Sequence, residues 1–302
     1  MKKIFLIYGY GQIGKKHHKY LRELYKESKF FFVSSRKNKP KHFFSDLSSL
    51  KDIKFDLIII SNDTSLHLST LIILRKYFNT TPILVEKPLL INLKNYNLSN
   101  NVYVNYNLRF HPLIHKLKKL IKNNNIFYCN MICHSYLPSW RNKDYRFFYS
   151  SSFKRGGGVL YDLSHEFDLL NFFFNKFKII YSINKKISGL NINTDDYLQA
   201  SGIFKNTNKH FNISLTYFSK INKREIFLEG KNISIHACLI KNQIIIIKNQ
   251  RKKIFKLNGF KIKNTFKNTY KAILNNKKFF LADLNNSIFL TKIFNKIKKN
   301  NL

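Results

Sequence analysis

Short apolar runs and helical patterns alternate along the first third of the chain. Lys3–Tyr8, Phe30–Ser34, Leu57–Ser61, Ile83–Glu86 and Val102–Asn105 have the length and the β-branched or aromatic content of buried strands. Between them Ile13, His17, Leu21 and Leu24 recur at helical spacing, as do Leu68, Leu71, Ile72 and Arg75. Strands separated by helices call for a parallel sheet covered by those helices, because parallel neighbours need crossover connections. The pattern changes near Arg109. A helix over Leu113–Ile121 leads into a long strand, Ile126–Ser135, then an irregular segment ending in Gly156-Gly157-Gly158, then a helix over Leu160–Phe174. Beyond Lys178, Tyr197–Phe204, Phe211–Phe218, Glu225–Glu229, Ile233–Leu239 and Gln243–Lys248 follow without helices between them, which predicts a largely antiparallel sheet. A helical period returns from Asn285 to Lys299.

Composition narrows the class. The chain has 302 residues, of which 44% are apolar and 23% charged, so it is long enough for two buried cores and far from the composition of disordered chains. Lys and Arg number 54 against 16 Asp and Glu, a formal net charge of +38. Taken alone that excess suggests a polyanionic partner. It is spread over nearly every helix face and loop, however, and accompanies equally heavy use of Asn, Ile, Phe and Tyr, which share A/T-rich codons; no specific nucleic-acid partner is expected. Cys129, Cys133 and Cys238 are too few for a disulfide scaffold and read as free thiols of a reducing compartment. Cys129-x-x-x-Cys133-His134 lacks a second ligand pair, and no metal is expected. The first apolar run stops at Gly9, short of a signal-peptide core, and no stretch reaches the roughly 18 apolar residues of a membrane span. A soluble cytoplasmic protein without a membrane partner is the expectation.

Gly9-Tyr10-Gly11-Gln12-Ile13-Gly14 directly follows the first strand and opens the first helix, the context in which G-x-G-x-x-G binds a dinucleotide. Gly9 allows the tight turn, Gly11 lets the backbone approach a pyrophosphate, and Gly14 lets helix and strand pack closely, with the phosphates at the helix N-terminus. About 20 residues further on, an acid would bind a free ribose 2′-hydroxyl. The chain instead reads Ser34-Ser35-Arg36-Lys37, and Ser35 with Arg36 suits a 2′-phosphate, so NADP is favoured over NAD. Ser61, Asn62 and His67 follow the third strand and Glu86-Lys87-Pro88 the fourth, which places them at the carboxyl ends where such sheets bind ligands. The fold expected is α/β: a Rossmann dinucleotide-binding domain over residues 1–108 and an α+β domain over 109–302 on an open, mainly antiparallel sheet.

These motifs resemble the Gfo/Idh/MocA oxidoreductases, typified by glucose-fructose oxidoreductase and inositol dehydrogenase. The matching residues are Gly9–Gly14 with His17, Thr64-Ser65-Leu66-His67, Glu86-Lys87-Pro88, Asn107-Leu108-Arg109-Phe110-His111-Pro112, and Gly156-Gly157-Gly158 with Asp162, His165 and Asp168. They run in order over roughly the first 170 residues. Tyr136-Leu137-Pro138-Ser139-Trp140-Arg141 through Asp144-Tyr145-Arg146 is similar to members associated with surface-glycan and nonulosonic-acid pathways.

The resemblance implies an NAD(P)-dependent dehydrogenase or reductase that transfers a hydride between a nicotinamide cofactor and a carbinol or carbonyl of a sugar or nucleotide-sugar, as a homo-oligomer. Such chemistry needs both a cation and a base at the substrate oxygen. By resemblance Lys87 stabilises the developing alkoxide, His165 shuttles the proton and Asp162 orients the imidazole or the substrate. The family acid usually precedes the histidine by four positions; here Asp162 precedes His165 by three, and Glu166 is the other candidate. Asp162, His165 and Asp168 are expected along one side of one helix. Gly9 to Gly14, Ser35, Arg36, Ser61, Asn62, His67 and Glu86 are expected at the cofactor, and Arg109, Trp140, Arg141 and Arg146 at an anionic sugar. Tyr145, Phe147, Phe148 and Tyr149 also read as loop packing. The rival reading is a dinucleotide-binding sensor or structural protein of the same fold without turnover.

Overall fold

The computed structural model describes residues 2–34, 43–44, 47–90, 98, 101–205 and 207–299. The chain groups into two compact units, Met1–Phe110 with Ile262–Thr291 and His111–Lys261 with Lys292–Leu302.

The first unit is built on six parallel strands: β1 (Ile4–Tyr8), β2 (Lys29–Val33), β3 (Phe43–Phe44), β4 (Leu57–Ile60), β5 (Ile83–Val85) and β6 (Val102–Val104), in the order β3-β2-β1-β4-β5-β6. Phe5, Leu6 and Ile7 of β1 and all four residues of β4 are fully buried. Strands covered on both faces need apolar residues at successive positions rather than at alternate ones, which is why these short runs were legible. Helix α1 (Gln12–Leu24) turns Gly14, His17 and Leu21 inward, and α2 (His67–Tyr77) turns in His67, Thr70, Leu71 and Leu74. The chain order reverses between β1 and β4, the position at which open parallel sheets take their ligands.

The second unit begins with α3 (Pro112–Lys122), with Pro at its first position and His111 as its N-cap. Next come β7 (Ile126–Tyr136), α4 (Val159–Asp162), α5 (His165–Phe174), β8 (Phe177–Lys185), β9 (Tyr197–Phe204), β10 (His210–Thr216), β11 (Phe218–Gly230), β12 (Ile233–Cys238), β13 (Gln243–Lys248) and β14 (Arg251–Lys256). They form an eight-stranded sheet, β14-β13-β12-β11-β7-β10-β9-β8, in which β7 and β10 pair in parallel and the other neighbours are antiparallel. Alternation in β9 and β10 puts Leu198, Ala200, Phe211, Ile213 and Leu215 on the buried side. There α5 covers the sheet, and Phe167 packs edge-on against Phe294 of α7 (Leu284–Lys299).

Four features differ from the sequence reading. Residues 262–291 belong with the first unit rather than with a domain over 109–302: Tyr270, Ala272 and Ile273 of α6 (Lys263–Leu274) share a core with Phe5, Leu21 and Leu57, and the Val104 amide donates to Ala282 O at 2.8 Å. Helix α6 was unread because two of its buried positions are Thr265 and Thr269. β14 was unread because it is an edge strand exposed on both faces, with no alternation to find. The helix expected over Leu160–Phe174 is two helices, broken at Leu163 and Ser164. The short α4 is pinned at its start, where Asp195 accepts the Leu160 amide at 2.9 Å, and at its end, where Asp162 accepts two tyrosine hydroxyls, so the chain restarts a helix at His165.

All three cysteines are free and buried. Among the described residues no helix is long and apolar enough to cross a membrane.

The His111 cap ties stability to pH. Its Nδ1 accepts the Leu113 amide at 3.2 Å and its Nε2–H donates to Asn242 Oδ1 at 3.1 Å, an arrangement that requires the neutral ring. Burial, aided by His115 and Arg224 and opposed by the Asn242 bond, pushes its pKa down to about 4. The unfolded chain takes up this proton nearer pH 6.5. The stabilisation is therefore complete above that value and is lost as the pH falls toward about 4. His111→Asn keeps a capping side chain without the titration. Denaturant unfolding of the two proteins at pH 7.5 and pH 4.5 should show the wild type losing about 1–2 kcal/mol more than the variant, after discounting for solvent screening.

Candidate functional site

The loop leaving β1 is built by glycine. Gly9 has φ +90°, and a Cβ there would lie 2.5 Å from the Asn62 amide nitrogen and 2.7 Å from the Ser61 carbonyl carbon, in the loop leaving β4. A Cβ on Gly14 would strike the Gly9 carbonyl. Ser61 Oγ closes the junction by donating to Gly9 O at 2.7 Å. Gly11 differs, because among the described residues a Cβ there would meet nothing within 4 Å. It is also the N-cap of α1, where no side chain accepts a helix amide and no acid occupies the first turn. Among the described residues nothing fills the space beside Gly11, from which the α1 amides of Gln12, Ile13 and Gly14 begin. Uncapped amides, the positive end of a helix and an open cradle fit a pyrophosphate.

Tyr10 turns away from that cradle. Its ring packs edge-on against Phe32 and Phe43, with centroids 4.6 and 5.1 Å away, and its hydroxyl lies 2.7 Å from His18 Nδ1, burial and then Arg22 holding His18 below its ordinary pKa. Asn62 donates from Nδ2 to Thr70 Oγ1 at 2.8 Å. Ser35 and Arg36 lie outside the described residues.

Glu86 and Lys87 directly follow β5. Glu86 was expected at the cofactor; its carboxylate is instead buried inside the protein. Oε1 accepts from His17 Nε2 at 2.8 Å and from Asn105 Nδ2 at 2.5 Å, and Oε2 from the Lys87 amide at 3.3 Å. Burial alone would raise the Glu86 pKa, but the bond and charge of His17, with Asn105 and Lys87, hold it below the ordinary value. Behind it Tyr270 of α6 lies 2.7 Å from His17 Nδ1. Burial raises the Tyr270 pKa well above normal, so its hydroxyl stays neutral. His67 is a second correction: its nitrogens lie 2.9 Å from Pro88 O and 3.1 Å from Asn62 O, so it braces the two loops from within. Arg109, expected at the substrate, is a third. It is buried and donates to Leu281 O at 3.1 Å and Asn286 Oδ1 at 3.0 Å, fastening the returning segment.

In the second unit Asp162 Oδ1 accepts the Tyr149 hydroxyl at 2.5 Å and Oδ2 the Tyr217 hydroxyl at 2.6 Å. Burial raises Tyr217 well above its usual range, so it remains a donor. His165 starts α5 beyond the break, and Asp162 ends α4, so the two do not follow one helix side. Glu166 is held by Arg224 in a two-pronged pair at 2.8 and 3.1 Å. Gly158, at φ +118°, passes so close to Asp195 that a Cβ would collide with its carboxylate, and burial raises the Asp195 pKa. Trp140 stands edge-on to Tyr217 at 5.3 Å, Arg141 lies 4.6 Å over the Phe148 ring, and the exposed Arg146 pairs with Asp144 at 2.6 Å.

Sequence reading missed Asn105, Tyr270, Tyr217 and Asp195, and took Tyr149 only as packing. Asn105 alone carried a local signal, since it directly follows a parallel strand. The others are brought in by chain distant in sequence.

No family profile matches the sequence, and no curated protein matches it. Solved structures do. The super-repressor mutant of Gal80p from Saccharomyces cerevisiae superposes with a TM-score of 0.81 at 15% identity, over 100% of this chain and 96% of that one. UDP-N-acetylglucosamine 3-dehydrogenase GnnA from Acidithiobacillus ferrooxidans gives 0.76 at 13%, over 100% and 98%. The WlbA dehydrogenase from Bordetella pertussis, in complex with NADH and UDP-GlcNAcA, gives 0.75 at 14%, over 99% and 96%. The chain therefore has their fold, as the motif resemblance implied.

The glycines make opposite predictions. Gly9→Ala forces a Cβ into the β4 loop at positive φ and should cost about 2 kcal/mol or more of stability. Gly11→Ala adds a methyl where there is room and should stay within about 0.5 kcal/mol of wild type. Thermal and urea denaturation of both variants would check this.

Proposed function

We propose that this chain is an NAD(P)-dependent oxidoreductase of the Gfo/Idh/MocA kind, moving a hydride between a nicotinamide cofactor and a carbinol or carbonyl carbon of a sugar or nucleotide-sugar. The observation that carries the reading is the open cradle at Gly11, before an uncapped α1, beside Gly9 at the point where the sheet order reverses. Two similar structures support the substrate class, one described as a UDP-N-acetylglucosamine 3-dehydrogenase and the other as holding NADH and UDP-GlcNAcA.

The cofactor supplies or takes the hydride. The chain's own residues do the rest. The amides at the start of α1 hold the pyrophosphate, and Ser61 keeps the Gly9 turn closed beneath it. The Lys87 ammonium stabilises negative charge as it develops on the substrate oxygen, and the buried Glu86 carboxylate fixes the backbone from which that side chain extends. The His165 imidazole takes the oxygen's proton in oxidation and returns it in reduction. Asp162, which accepts the Tyr149 and Tyr217 hydroxyls, anchors the segment before His165 and so orients the imidazole. Ser35 and Arg36 favour NADP by the chemistry of a 2′-phosphate. Trp140 and Arg141 are the candidates for an anionic sugar, and a cytoplasmic homo-oligomer completes the reading.

A dinucleotide-dependent regulator without turnover is the second reading. It is favoured by the similarity to Gal80p, a structure described as a super-repressor mutant.

Titration with NADPH and NADH at physiological salt should give tighter NADPH binding, with Arg36→Ala removing most of the difference. Lys87→Ala should lower turnover about 100-fold or more while leaving nucleotide affinity within about threefold, because its role lies in the transition state. An unchanged rate would remove Lys87 from catalysis, and binding of neither nucleotide would overturn the cofactor reading.

A further inference from the structure

Position rather than number singles out three of the lysines. The last turns of α6 and the segment that follows them border a cavity of about 610 Å³, and every residue lining it belongs to the first unit. Its size suits a small-molecule site. Phe110 and Phe280, with ring centroids 6.1 Å apart, give it an apolar wall, and Ala272 keeps the helix face beside them low. Asn268, Lys271 and Asn275 recur at three- and four-residue spacing along that face, and Lys277 and Lys278 join them from the turn.

The turn is held in place. Asn276 takes the left-handed conformation that ends a helix, at φ +54°, while its amide donates to Ile273 O at 3.1 Å and the Lys277 amide to Ala272 O at 2.8 Å. These bonds also occupy carbonyls at the negative end of α6. Carboxylates are missing from the neighbourhood: the sequence has no Asp or Glu between Glu229 and Asp283. Glu23, which α6 does engage, pairs with Lys263 and Lys267 at 3.0 and 2.7 Å, and Asp283 accepts the Asn286 amide at 2.9 Å. Among the described residues the ammonium groups of Lys271, Lys277 and Lys278 make no ion pair or hydrogen bond, and the side-chain amides of Asn268 and Asn275 make no hydrogen bond. Beside them Phe279 is 78% exposed and stands edge-on to Phe280 at 4.9 Å. A ring left in water among such cations fits a ligand that brings both a planar ring and negative charge.

We infer that this cavity binds a nucleoside phosphate. The base stacks on Phe279, Asn268 and Asn275 hydrogen-bond to the base or ribose, and Lys271, Lys277 and Lys278 hold the phosphates. None of these residues belongs to the cradle at Gly11, so the site stands apart from the cofactor reading. Stacking and cations also serve single-stranded nucleic acid. A cavity bordered by one helix face and one turn suits a single nucleotide better than a strand, and the test separates the two.

Calorimetry on the full chain, with NADPH at saturation to fill the cradle, would compare ATP, inorganic tripolyphosphate and a short oligothymidylate. The wild type should bind ATP about tenfold more tightly than tripolyphosphate, the effect of one stacked base. Phe279→Ala should erase that preference and Phe279→Tyr should keep it. A Lys271→Ala, Lys278→Ala double variant should weaken ATP and tripolyphosphate alike, by about tenfold. All of these positions except the floor of the cavity are exposed, so NADPH affinity should stay within about twofold of wild type. The inference is overturned if the wild type binds no ATP, if tripolyphosphate binds as tightly, if oligothymidylate binds more tightly than ATP, or if the preference survives Phe279→Ala. Should the chain bind no NADPH, the same titrations without it still read this site through the Phe279 variants, so failure of the cofactor reading and failure of this inference are told apart.

Discussion

A carboxylate can stay charged inside a protein only if its surroundings replace the water it has lost. Glu86 meets that condition with donors from four parts of the first unit: His17 from α1, Asn105 from the end of β6, the amide of Lys87, and Tyr270 through His17. Each neighbour needs the others to be in place. If α6 is displaced His17 loses its hydroxyl partner, and if Asn105 is turned Glu86 keeps a bare lone pair. The ends of β5 and β6 are consequently held by a network that tolerates little rearrangement, and the residue proposed to act on substrate is joined to it through the backbone.

The same economy runs through the second unit. A chain with 16 acidic and 54 basic residues has few carboxylates to use, and several lie inside. Asp162 binds two tyrosines, Glu166 binds Arg224, Asp196 gathers the Ile187 and Ser188 amides with the Ser188 hydroxyl, and Asp195 holds the start of α4. The acids mark where the fold is fastened. The cations lie mostly at the surface, where solvent screens them and where their number says little about a partner.

What the sequence disclosed follows from this division. Buried parallel strands announce themselves as continuous apolar runs, and the glycines announce the turn they permit, so the start of α1 and every strand of the first sheet except the two-residue edge strand β3 were legible. Motifs also located the strand ends correctly. They did not say which way a side chain faces: Glu86, His67 and Arg109 stand where expected and point into the protein. The partners that decide the direction, such as Tyr270 for His17 and Tyr217 for Asp162, lie 253 and 55 residues away, and no local pattern links them. The break between α4 and α5 escaped for the same reason, because the groups pinning α4 come from Tyr149, Asp195 and Tyr217.

The return of residues 262–291 to the first unit bears on how the protein is made. A ribosome delivers β1 to β6 long before α6 emerges, and until then Phe5, Leu21 and Leu57 lack the Tyr270, Ala272 and Ile273 side of their shared core. Both units wait for the end of the chain, the first for α6 and the second for residues 292–302 with Phe294. During synthesis the first unit waits for α6 with exposed apolar surface, the state in which nascent chains depend on chaperones. A stop codon shortly before Ile262 would therefore also do damage at the opposite end of the sequence, by opening the core around Phe5, Leu21 and Leu57.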